Sequence, residues 1–189
     1  MAFLLVEGAD PAQAGRAEEH GFRFVDVRVT LEAPTAVSVQ SVRPHREDDV
    51  ETLRRIARTS HRDTRFYADP EFPDERCDDL YDTWIRRSCE GWADVVLVVE
   101  RDGAPVGYMT VHRVDDDSGS LGLLGVDEGW RRHGIGEMLV RGAVAWCADA
   151  GLARSMLYTQ ARNVASQRLF QRLGFRTAAV DLWFHKWFT

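Results

Sequence analysis

One stretch constrains this chain more than any other: a strand, a loop with two glycines and a long helix follow one another between residues 120 and 150. The apolar run from Ser120 to Val126 predicts the strand, and the helix spans about Gly136 to Ala150. The first N–H groups of a helix have no acceptor within the helix, and the helix dipole adds partial positive charge there. This junction therefore predicts a binding site for a pyrophosphate or a similar anion.

The loop Arg131-Arg132-His133-Gly134-Ile135-Gly136 has the residue types that such a site needs. Gly134 and Gly136 let the backbone come close to a ligand because no Cβ intrudes. Arg131 and Arg132 add positive charge for phosphate groups. A short glycine loop is a weak signal by itself, so an unrelated anion site stays open as the alternative.

Composition excludes several other classes of protein. The 189 residues carry a net charge of -6, which argues against a nucleic-acid-binding surface. No apolar run approaches the roughly 20 residues that span a membrane, and the start of the chain lacks the basic flank of a signal peptide. The three cysteines show neither zinc-ligand spacing nor a disulfide framework. We therefore expect a cytoplasmic protein without a metal, a membrane partner or a nucleic-acid partner.

The rest of the chain predicts an α+β fold, with an antiparallel run in the middle and one strand–loop–helix–strand crossover. Residues 1–34 indicate a strand–helix–strand extension in which Asp10 caps the helix, Gly21 stops it and Ala33–Thr35 is a linker. We expect residues 35–189 to form the main domain. Its predicted elements are a strand at 37–42, a helix near 50–57, a loop at 61–74, a helix at 75–89, strands at 95–100, 105–114 and 120–126, a helix at 136–150, a strand at 155–160, a helix at 164–173 and closing strands within 175–188.

The glycine loop, the strand after it, Asn163 and Gly174-Phe175 together resemble the GNAT superfamily of N-acyltransferases. The resemblance covers roughly residues 37–189. It implies the GNAT fold, a mixed and mostly antiparallel sheet flanked by helices, here with a short α/β N-terminal extension. It also implies acetyl-CoA as cosubstrate and direct attack of a primary amine on the thioester in a ternary complex, without a covalent enzyme intermediate.

The same resemblance implies roles for individual residues. Amides from Arg132 to Gly136 hold the pyrophosphate, while amides near Val126 hold the pantetheine arm and polarise the thioester carbonyl. Asn163 contacts the arm and also suits the N-cap of the next helix. The strand before the loop and the strand at 155–160 splay apart, and the arm fills the gap. The expected cofactor-binding residues are Leu124, Gly125, Val126, Arg131, Arg132, His133, Gly134, Ile135, Gly136, Asn163 and Phe170.

One departure from the family pattern matters for the chemistry. Many GNAT enzymes have a tyrosine seven residues after the matching asparagine, where it protonates the departing thiolate, but this chain has Phe170. A thiol with a pKa near ~8.5 can leave as thiolate at modest cost, whereas a general acid contributes about 10²–10⁴ in rate. A water, Tyr158 or Cys147 could donate instead, the reaction could be slower, or the domain could bind acyl-CoA without turnover. We take Val126 and Tyr158 as the candidate catalytic residues.

Four dispersed patches are similar to the TDP-fucosamine acetyltransferase group, which acetylates the 4-amino group of a nucleotide-linked deoxysugar. The patches are Gly21–Val25, Arg65–Pro70 with Tyr81–Ile85, Gly122–Leu124, and Thr159-Gln160 with Asn163. This likeness implies that a small-molecule acceptor lies near residues 61–85. Arg65 would contact its diphosphate, and Tyr67, Tyr81 and Trp84 its base and sugar, although core packing is the alternative for the aromatic residues.

Three points stay open from the sequence. Asp69, Glu71, Glu128 or His112 could receive the proton that the amine must lose. The acceptor could instead be a protein or peptide amine, or the chain could be a non-catalytic acyl-CoA-binding module. The apolar closing strand could pair two copies in a homodimer.

Overall fold

The computed structural model describes residues 1–38 and 41–188, which form eight strands and six α-helices. The strands are β1 (Ala2–Val6), β2 (Arg23–Pro34), β3 (Arg43–Pro44), β4 (Val95–Arg101), β5 (Ala104–Arg113), β6 (Ser118–Val126), β7 (Arg154–Gln160) and β8 (Arg176–Lys186). The helices are α1 (Pro11–Glu19), α2 (Val50–Ser60), α3 (Arg65–Ala68), α4 (Asp74–Arg87), α5 (Ile135–Asp149) and α6 (Val164–Arg172).

All eight strands belong to one sheet, in the order β1-β8-β2-β7-β6-β5-β4-β3. Only the β6–β7 pair is parallel, because α5 carries the chain back to the start of β7, and the other pairs are antiparallel. The predicted α+β fold with a mixed, mostly antiparallel sheet is confirmed.

The N-terminal extension has the predicted strand–helix–strand order. Asp10 caps α1 by accepting from the N–H groups of Ala12 and Gln13, and Gly21 has the positive φ of +74° that suits a turn after a helix. The predicted linker at Ala33–Thr35 is wrong in its first two residues, because β2 continues to Pro34. β7 pairs with β2 as far as Pro34, whereas the pairing with β8 on the other side ends at Glu32. The extension thus contributes a central strand, and the domain boundary at residue 34 stays a prediction.

The predicted strand at residues 37–42 is also wrong where the structure describes it. Val37, Ser38, Ser41 and Val42 lie outside any strand, Val39 and Gln40 lie outside the described residues, and β3 consists of residues 43 and 44 alone. Val42 packs against α5 instead, where its side chain fills the space that a Cβ on Gly142 would need. The predicted loop at 61–74 contains the single helical turn α3, and the predicted closing strands are one strand, β8.

Helices cover both faces of the central strands, and a separate core lies under each layer. On one face, α5 packs on inward residues such as Leu121 and Leu157. On the other, α2 and α4 pack on Val96 and Val98. Alternate side chains of β4 enter opposite cores, which explains why its sequence is apolar without interruption.

The parallel β6–β7 pair opens partway along its length. Pairing runs from Ser118 opposite Arg154 to Leu121 opposite Leu157 and then stops. Just beyond, Gly122 and Leu123 together oppose Thr110, whose Oγ1 accepts from the Leu123 N–H at 2.8 Å. This bulge turns β6 away from β7. The splayed gap that the resemblance implied is therefore present.

Candidate active site

The glycine loop joins β6 to α5 with two residues in the left-handed region. Arg132 has a φ of +65° and Gly134 a φ of +78°, and Gly134 is the N-cap of α5 without any side-chain cap. The first helical bond runs from the Met138 N–H to the Gly134 carbonyl at 3.0 Å. The N–H groups of Ile135 and Gly136 therefore have no carbonyl of a preceding helical turn as acceptor, and they remain available to an anion.

A cavity of about 650 Å³, here called the glycine-loop cavity, lies over this helix start between α2 and α6. Of the predicted cofactor residues, it is lined by Leu124, Val126, Arg131, Arg132, Gly134, Ile135, Gly136 and Asn163. His133 is in the loop but does not line the cavity, and its Nδ1 lies 2.9 Å from the Arg131 carbonyl. Arg131 braces the loop, because it donates to the carbonyls of Val126 and Thr59 at 3.3 and 3.2 Å.

A second cavity of about 400 Å³ lies on the α2–α4 face of the sheet. It crosses four adjacent strands, from Leu124 on β6 over Tyr158 on β7 and Arg28 on β2 to Trp183 on β8, and is here called the cross-strand cavity. The two cavities meet, because five residues line both. These are Ser60, Asp63, Leu124, Asn163 and Ser166.

The β6 backbone at this junction has groups that no neighbouring strand uses. The Asp127 N–H bonds the Val106 carbonyl at 2.9 Å, and bonded pairs alternate along an antiparallel ladder. Gly125 therefore bonds towards β5, whereas Leu124 and Val126 turn their amides into the gap. Leu124 lines both cavities and Val126 only the glycine-loop cavity, so of these two residues Leu124 is the one at the junction.

Gly125 itself lines neither cavity, and its role is steric. A Cβ at this position would lie 2.5 Å from Cε1 of Tyr108, a residue without exposed surface. Glycine lets β6 pass over the tyrosine ring. Gly125 therefore allows β6 to lie close to Tyr108 beside the gap between β6 and β7.

Asn163 combines the two roles that the sequence left open. Its Oδ1 accepts from the Ser166 N–H at 3.0 Å as the N-cap of α6, and the residue lines both cavities. Phe170 is only 3% exposed and packs edge-to-face on Phe175 at 5.4 Å. It also forms part of the cross-strand cavity wall, so an apolar ring occupies the position of the family tyrosine.

The two alternative proton donors differ in accessibility. Tyr158 is 47% exposed, lines the cross-strand cavity and has the Arg28 guanidinium 4.7 Å from its ring centre. Cys147 is fully buried in the α5 core and lines neither cavity, and burial raises the pKa of its thiol. Only Tyr158 of these two is in reach of a bound molecule.

Three of the four predicted acceptor residues line the cross-strand cavity: Arg65, Tyr81 and Trp84. The Tyr81 hydroxyl donates to Oγ1 of Thr64 at 2.7 Å, and burial raises the pKa of Tyr81, so this phenol stays protonated. Tyr67 does not line the cavity. Its hydroxyl donates to Asp78 of α4, and its ring stacks on that of Tyr81 at 6.1 Å.

The residues proposed from sequence as proton acceptors are not at the junction. Asp69, Glu71, Glu128 and His112 line neither cavity. The carboxylate at the junction is instead that of Asp63. Among the residues the structure describes, it is the only acidic residue lining the cross-strand cavity. No protein cation forms an ion pair with Asp63 in that part of the chain. No sequence motif marks it, since it lies in an irregular turn after α2.

His61 is a second residue that sequence reasoning missed. It lines the cross-strand cavity, its ring stacks on Tyr81 at 4.6 Å, and its Nε2 lies 2.9 Å from the Tyr108 hydroxyl. Burial lowers the pKa of His61 to about 4, so the ring is neutral at pH 7. The position of the His61 ring depends on its contact with Tyr108 of β5, a strand that is remote in sequence, so no local pattern could have revealed it.

Two features of other kinds of site are absent from the described residues. No group of three or more His, Cys, Asp or Glu side chains within residues 1–38 and 41–188 is arranged to hold a metal ion. No helix in the same ranges is long and apolar enough to cross a membrane.

Comparisons with known proteins agree with this geometry. Residues 52–175 match the model of the acetyltransferase (GNAT) family. Among solved structures, a GCN5-related N-acetyltransferase from Kribbella flavida superposes on 96% of this chain and 66% of its own, with a TM-score of 0.65 and 19% identity. The PaiA N-acetyltransferase from Thermoplasma acidophilum, solved with coenzyme A, covers 79% of this chain and 100% of its own, with a TM-score of 0.61 and 18% identity.

Two curated relatives extend the comparison. The spore coat polysaccharide biosynthesis protein SpsD of Bacillus subtilis is 26% identical over 144 residues, 76% of this chain and 50% of that protein. The mycothiol acetyltransferase of Thermomonospora curvata is 33% identical over 98 residues, 51% of this chain and 33% of that protein. The chain thus spans half or less of the length of these relatives. Because the family model covers most of it and includes the glycine loop and Asn163, the chain belongs to the acetyltransferase (GNAT) family.

Proposed function

We propose that this protein transfers the acetyl group of acetyl-CoA to a primary amine of a small molecule. The observation that carries the proposal is the meeting of two cavities at Leu124, beside strand backbone that no neighbouring strand uses. The glycine-loop cavity suits a long phosphorylated cosubstrate, and the cross-strand cavity suits a second molecule. A reaction that joins two bound molecules gains most of its rate from holding them together.

Acetyl-CoA would lie in the glycine-loop cavity. Its pyrophosphate would accept from the amides between Arg132 and Gly136, with the side-chain charge of Arg132 nearby. The pantetheine arm would fill the gap between β6 and β7 as an added strand and bond the backbone of Val126. The side chain of Asn163 would contact the arm while it caps α6.

The chemical step would then take place at the junction. The amine nitrogen attacks the thioester carbon, the N–C bond forms, the C–S bond breaks, and CoA leaves as thiolate. The Leu124 N–H would stabilise the oxyanion, a small revision of the assignment to Val126. Asp63 would accept the proton that the amine loses. Tyr158 stays the candidate donor to the thiolate, since Phe170 has no proton to give.

A small acceptor fits this cavity better than a protein chain. The cross-strand cavity of about 400 Å³ is a cleft roofed by the turn after α2, and its size is typical of small-molecule sites. One relative is named for polysaccharide biosynthesis and another for mycothiol acetylation, which supports a small-molecule amine. A nucleotide-linked amino sugar is the more specific hypothesis that the sequence patches favour. Homodimer formation and a cytoplasmic location stay predictions.

Calorimetric titration with acetyl-CoA tests the cofactor half of the proposal. The double variant Gly134→Asp/Gly136→Asp places bulk and negative charge where the pyrophosphate would bind, so we expect at least a hundredfold loss of affinity. Gly15→Asp is the matched control, because Gly15 lies in α1 with open space around its Cα. Equal binding by the wild type and the double variant would refute the assignment of this loop.

A second measurement tests turnover. Wild-type protein is incubated with acetyl-CoA and a panel of amines, with nucleotide-linked 4-amino sugars first, and release of CoA thiol is followed. Thiol release that depends on the amine supports the acetyltransferase. Tight acetyl-CoA binding without turnover of any small amine or peptide would favour the non-catalytic acyl-CoA-binding module.

A further inference from the structure

His61 lies beside the segment of β6 at which the two cavities meet. Its Nε2 lies 2.9 Å from the Tyr108 hydroxyl, in the core between the sheet and the layer of α2 and α4. That hydroxyl is itself close to β6, because a Cβ added to Gly125 would lie 3.0 Å from it. Gly125 follows Leu124 in the chain, and His61 lines only the cross-strand cavity. The ring is therefore next to the junction, on the side proposed for the amine acceptor.

The Tyr108 hydroxyl decides which atom carries the hydrogen in this contact. Tyr108 has no exposed surface, and within residues 1–38 and 41–188 its hydroxyl has no hydrogen-bond partner other than His61. Burial raises the pKa of Tyr108, so the phenol keeps its proton. A buried O–H group without an acceptor is costly. The phenol therefore donates, and Nε2 of His61 accepts.

The hydrogen of the imidazole is consequently on its other nitrogen. Burial lowers the pKa of His61 to about 4, so the ring is neutral at pH 7 and carries one N–H group, here on Nδ1. Nδ1 bonds no residue in the described part of the chain. It is also not one of the buried side-chain atoms without a partner there, which belong to Asp26, Ser60 and Ser155. The Nδ1–H group is thus accessible from the cavity that His61 lines.

The orientation of the ring is fixed from two directions. One face of His61 stacks on Tyr81 with an interplanar angle of 21°, and the Nε2 edge bonds Tyr108. Tyr81 is only 3% exposed and is itself held by the bond from its hydroxyl to Thr64. Turning the imidazole would break the bond to Tyr108, so the Nδ1–H group is a preorganised donor.

The neighbouring carboxylate has the opposite hydrogen-bonding character. Asp63 follows His61 by two residues, which places their Cα atoms within roughly 7 Å of each other, and both line the cross-strand cavity. Asp63 accepts hydrogen bonds, whereas His61 has no lone pair on its cavity side and can only donate there. His61 is therefore not the base for the amine. It suits an acceptor atom next to the amine, and that atom is uncharged because an anion would be repelled by Asp63.

We propose that His61 is a specificity-determining residue whose Nδ1–H donates to an uncharged oxygen beside the reacting amine of the acceptor. This inference rests on the proposed acetyl transfer and concerns only the reacting end of the acceptor, whatever the molecule carries further along the cavity. His61 contacts the acceptor directly, and Tyr108 is a positioning residue that fixes the tautomer. A hydroxyl suits the site, because it can accept from His61 while it donates to an oxygen of Asp63.

The tautomer is tested directly by NMR of the full chain labelled with ¹⁵N, at pH 7. We expect the His61 ring to show a protonated Nδ1 and an unprotonated Nε2, and loss of these signals in His61→Gln makes the assignment. In Tyr108→Phe the ring should populate both tautomers, because Nε2 loses the donor that fixes it. A protonated Nε2 in the wild type would overturn the proposal.

The contact with the acceptor is tested with a matched pair of amines, trans-2-aminocyclohexanol and cyclohexylamine, which differ only in the hydroxyl next to the amine. The preference is the ratio of their kcat/KM values with saturating acetyl-CoA. If neither is acetylated, it is the ratio of their dissociation constants with CoA bound. Because their intrinsic reactivities cancel between protein variants, the informative quantity is the change in this ratio. We expect it to fall threefold to tenfold from wild type to His61→Gln.

The variants separate the two edges of the ring. His61→Gln can still accept from Tyr108 but has no donor at the position of Nδ1. His61→Asn keeps an N–H group near that position and should retain most of the preference for the amino alcohol. Tyr108→Phe should lose part of it, with acetyl-CoA affinity within twofold of the wild type. His20→Gln is the matched control, because His20 is exposed after α1 and lines neither cavity.

Two results with the amines overturn the contact. One is an equal ratio in wild type and His61→Gln, which would mean that the residue is merely structural, and the other is no binding of the amino alcohol by the wild type. Failure of the proposed acetyl transfer is distinguishable from both. In that case acetyl-CoA does not bind or no amine is acetylated, while the tautomer and the difference in dissociation constants persist.

Discussion

The two cavities that meet at Leu124 are built in different ways. The glycine-loop cavity depends on backbone amides from one continuous stretch, with Arg131 and Arg132 in the same loop. The cross-strand cavity depends on side chains from α2, α3, α4 and four strands, which are far apart in sequence. A site made of backbone groups tolerates most side-chain changes outside its glycines. A site made of converging side chains depends on each of them.

Polar groups in the two cavities also differ in their surroundings. The arginines of the loop are exposed, so water screens their charge. In the cross-strand cavity, the lining residue His61 bonds the buried Tyr108, and the lining residue Arg65 bonds the buried His185 outside the cavity. A buried polar group that loses its partner pays the full cost of desolvation. We therefore expect a change confined to one cavity to leave ligand binding in the other nearly unaffected. Variants at three positions sharpen this comparison: Asp63 and Asn163 line both cavities, and His61 lines only the cross-strand cavity.

The largest effect is expected for Asp63→Asn. This change removes the proton acceptor proposed for the amine, so kcat should fall by about 10²–10⁴ once an acceptor is found. Acetyl-CoA affinity, measured by calorimetry, should stay within twofold, because the loop amides are unchanged. Asp116→Asn in the exposed turn after β5 is the control. A kcat near that of the control would exclude Asp63 as the proton acceptor.

A smaller effect is expected at Asn163, whose side chain is expected to contact acetyl-CoA in the backbone-built cavity. Asn163→Ala removes the α6 cap, so the free energy of unfolding should fall by about 1 kcal/mol, and acetyl-CoA should bind about threefold to tenfold more weakly. Asn163→Asp keeps the capping oxygen but has no amide N–H for the pantetheine arm. It should keep the stability and lose the affinity. Wild-type affinity in Asn163→Asp would show that the residue only caps the helix.

The smallest effect is a pH dependence of stability that we assign to His61. Its folded-state pKa of about 4 lies below the ordinary value of 6.5, so the unfolded chain binds the proton more tightly. The stability linked to the neutral ring is complete above pH 6.5 and is lost as the pH falls towards 4. Between pH 7 and pH 5, urea denaturation should show a fall about 1 kcal/mol larger for wild type than for His61→Phe, allowing for partial exposure of the ring.

Two controls keep this last comparison specific. The pKa values of His112 and His185 are also lowered by burial, but both residues are present in wild type and variant, so their contributions cancel in the difference. Acetyl-CoA affinity at pH 7 should be equal in the two proteins. Parallel pH curves for wild type and His61→Phe would contradict the assignment.

Local signals were enough to predict most helices and strands. Asp10 and Gly21 act through neighbours a few residues away, and each lies where the sequence predicts it. The errors fall where distant contacts decide the local structure. β2 extends to Pro34 because β7 pairs with its last residues, and Val42 leaves the expected strand to pack against Gly142 of α5.

The sequence by itself determined the family, the α+β order of elements and the strand–glycine loop–helix junction, because such a junction is formed by residues adjacent in the chain. Only the tertiary structure decided which carboxylate reaches the junction of the two cavities. It also decided that Tyr67 bonds Asp78 and does not line the cross-strand cavity, and that Arg65 contacts His185. These contacts join residues up to 120 positions apart. Their partners are selected by strand order and by the packing of α2 and α4, and neither is encoded in the spacing of the residues concerned.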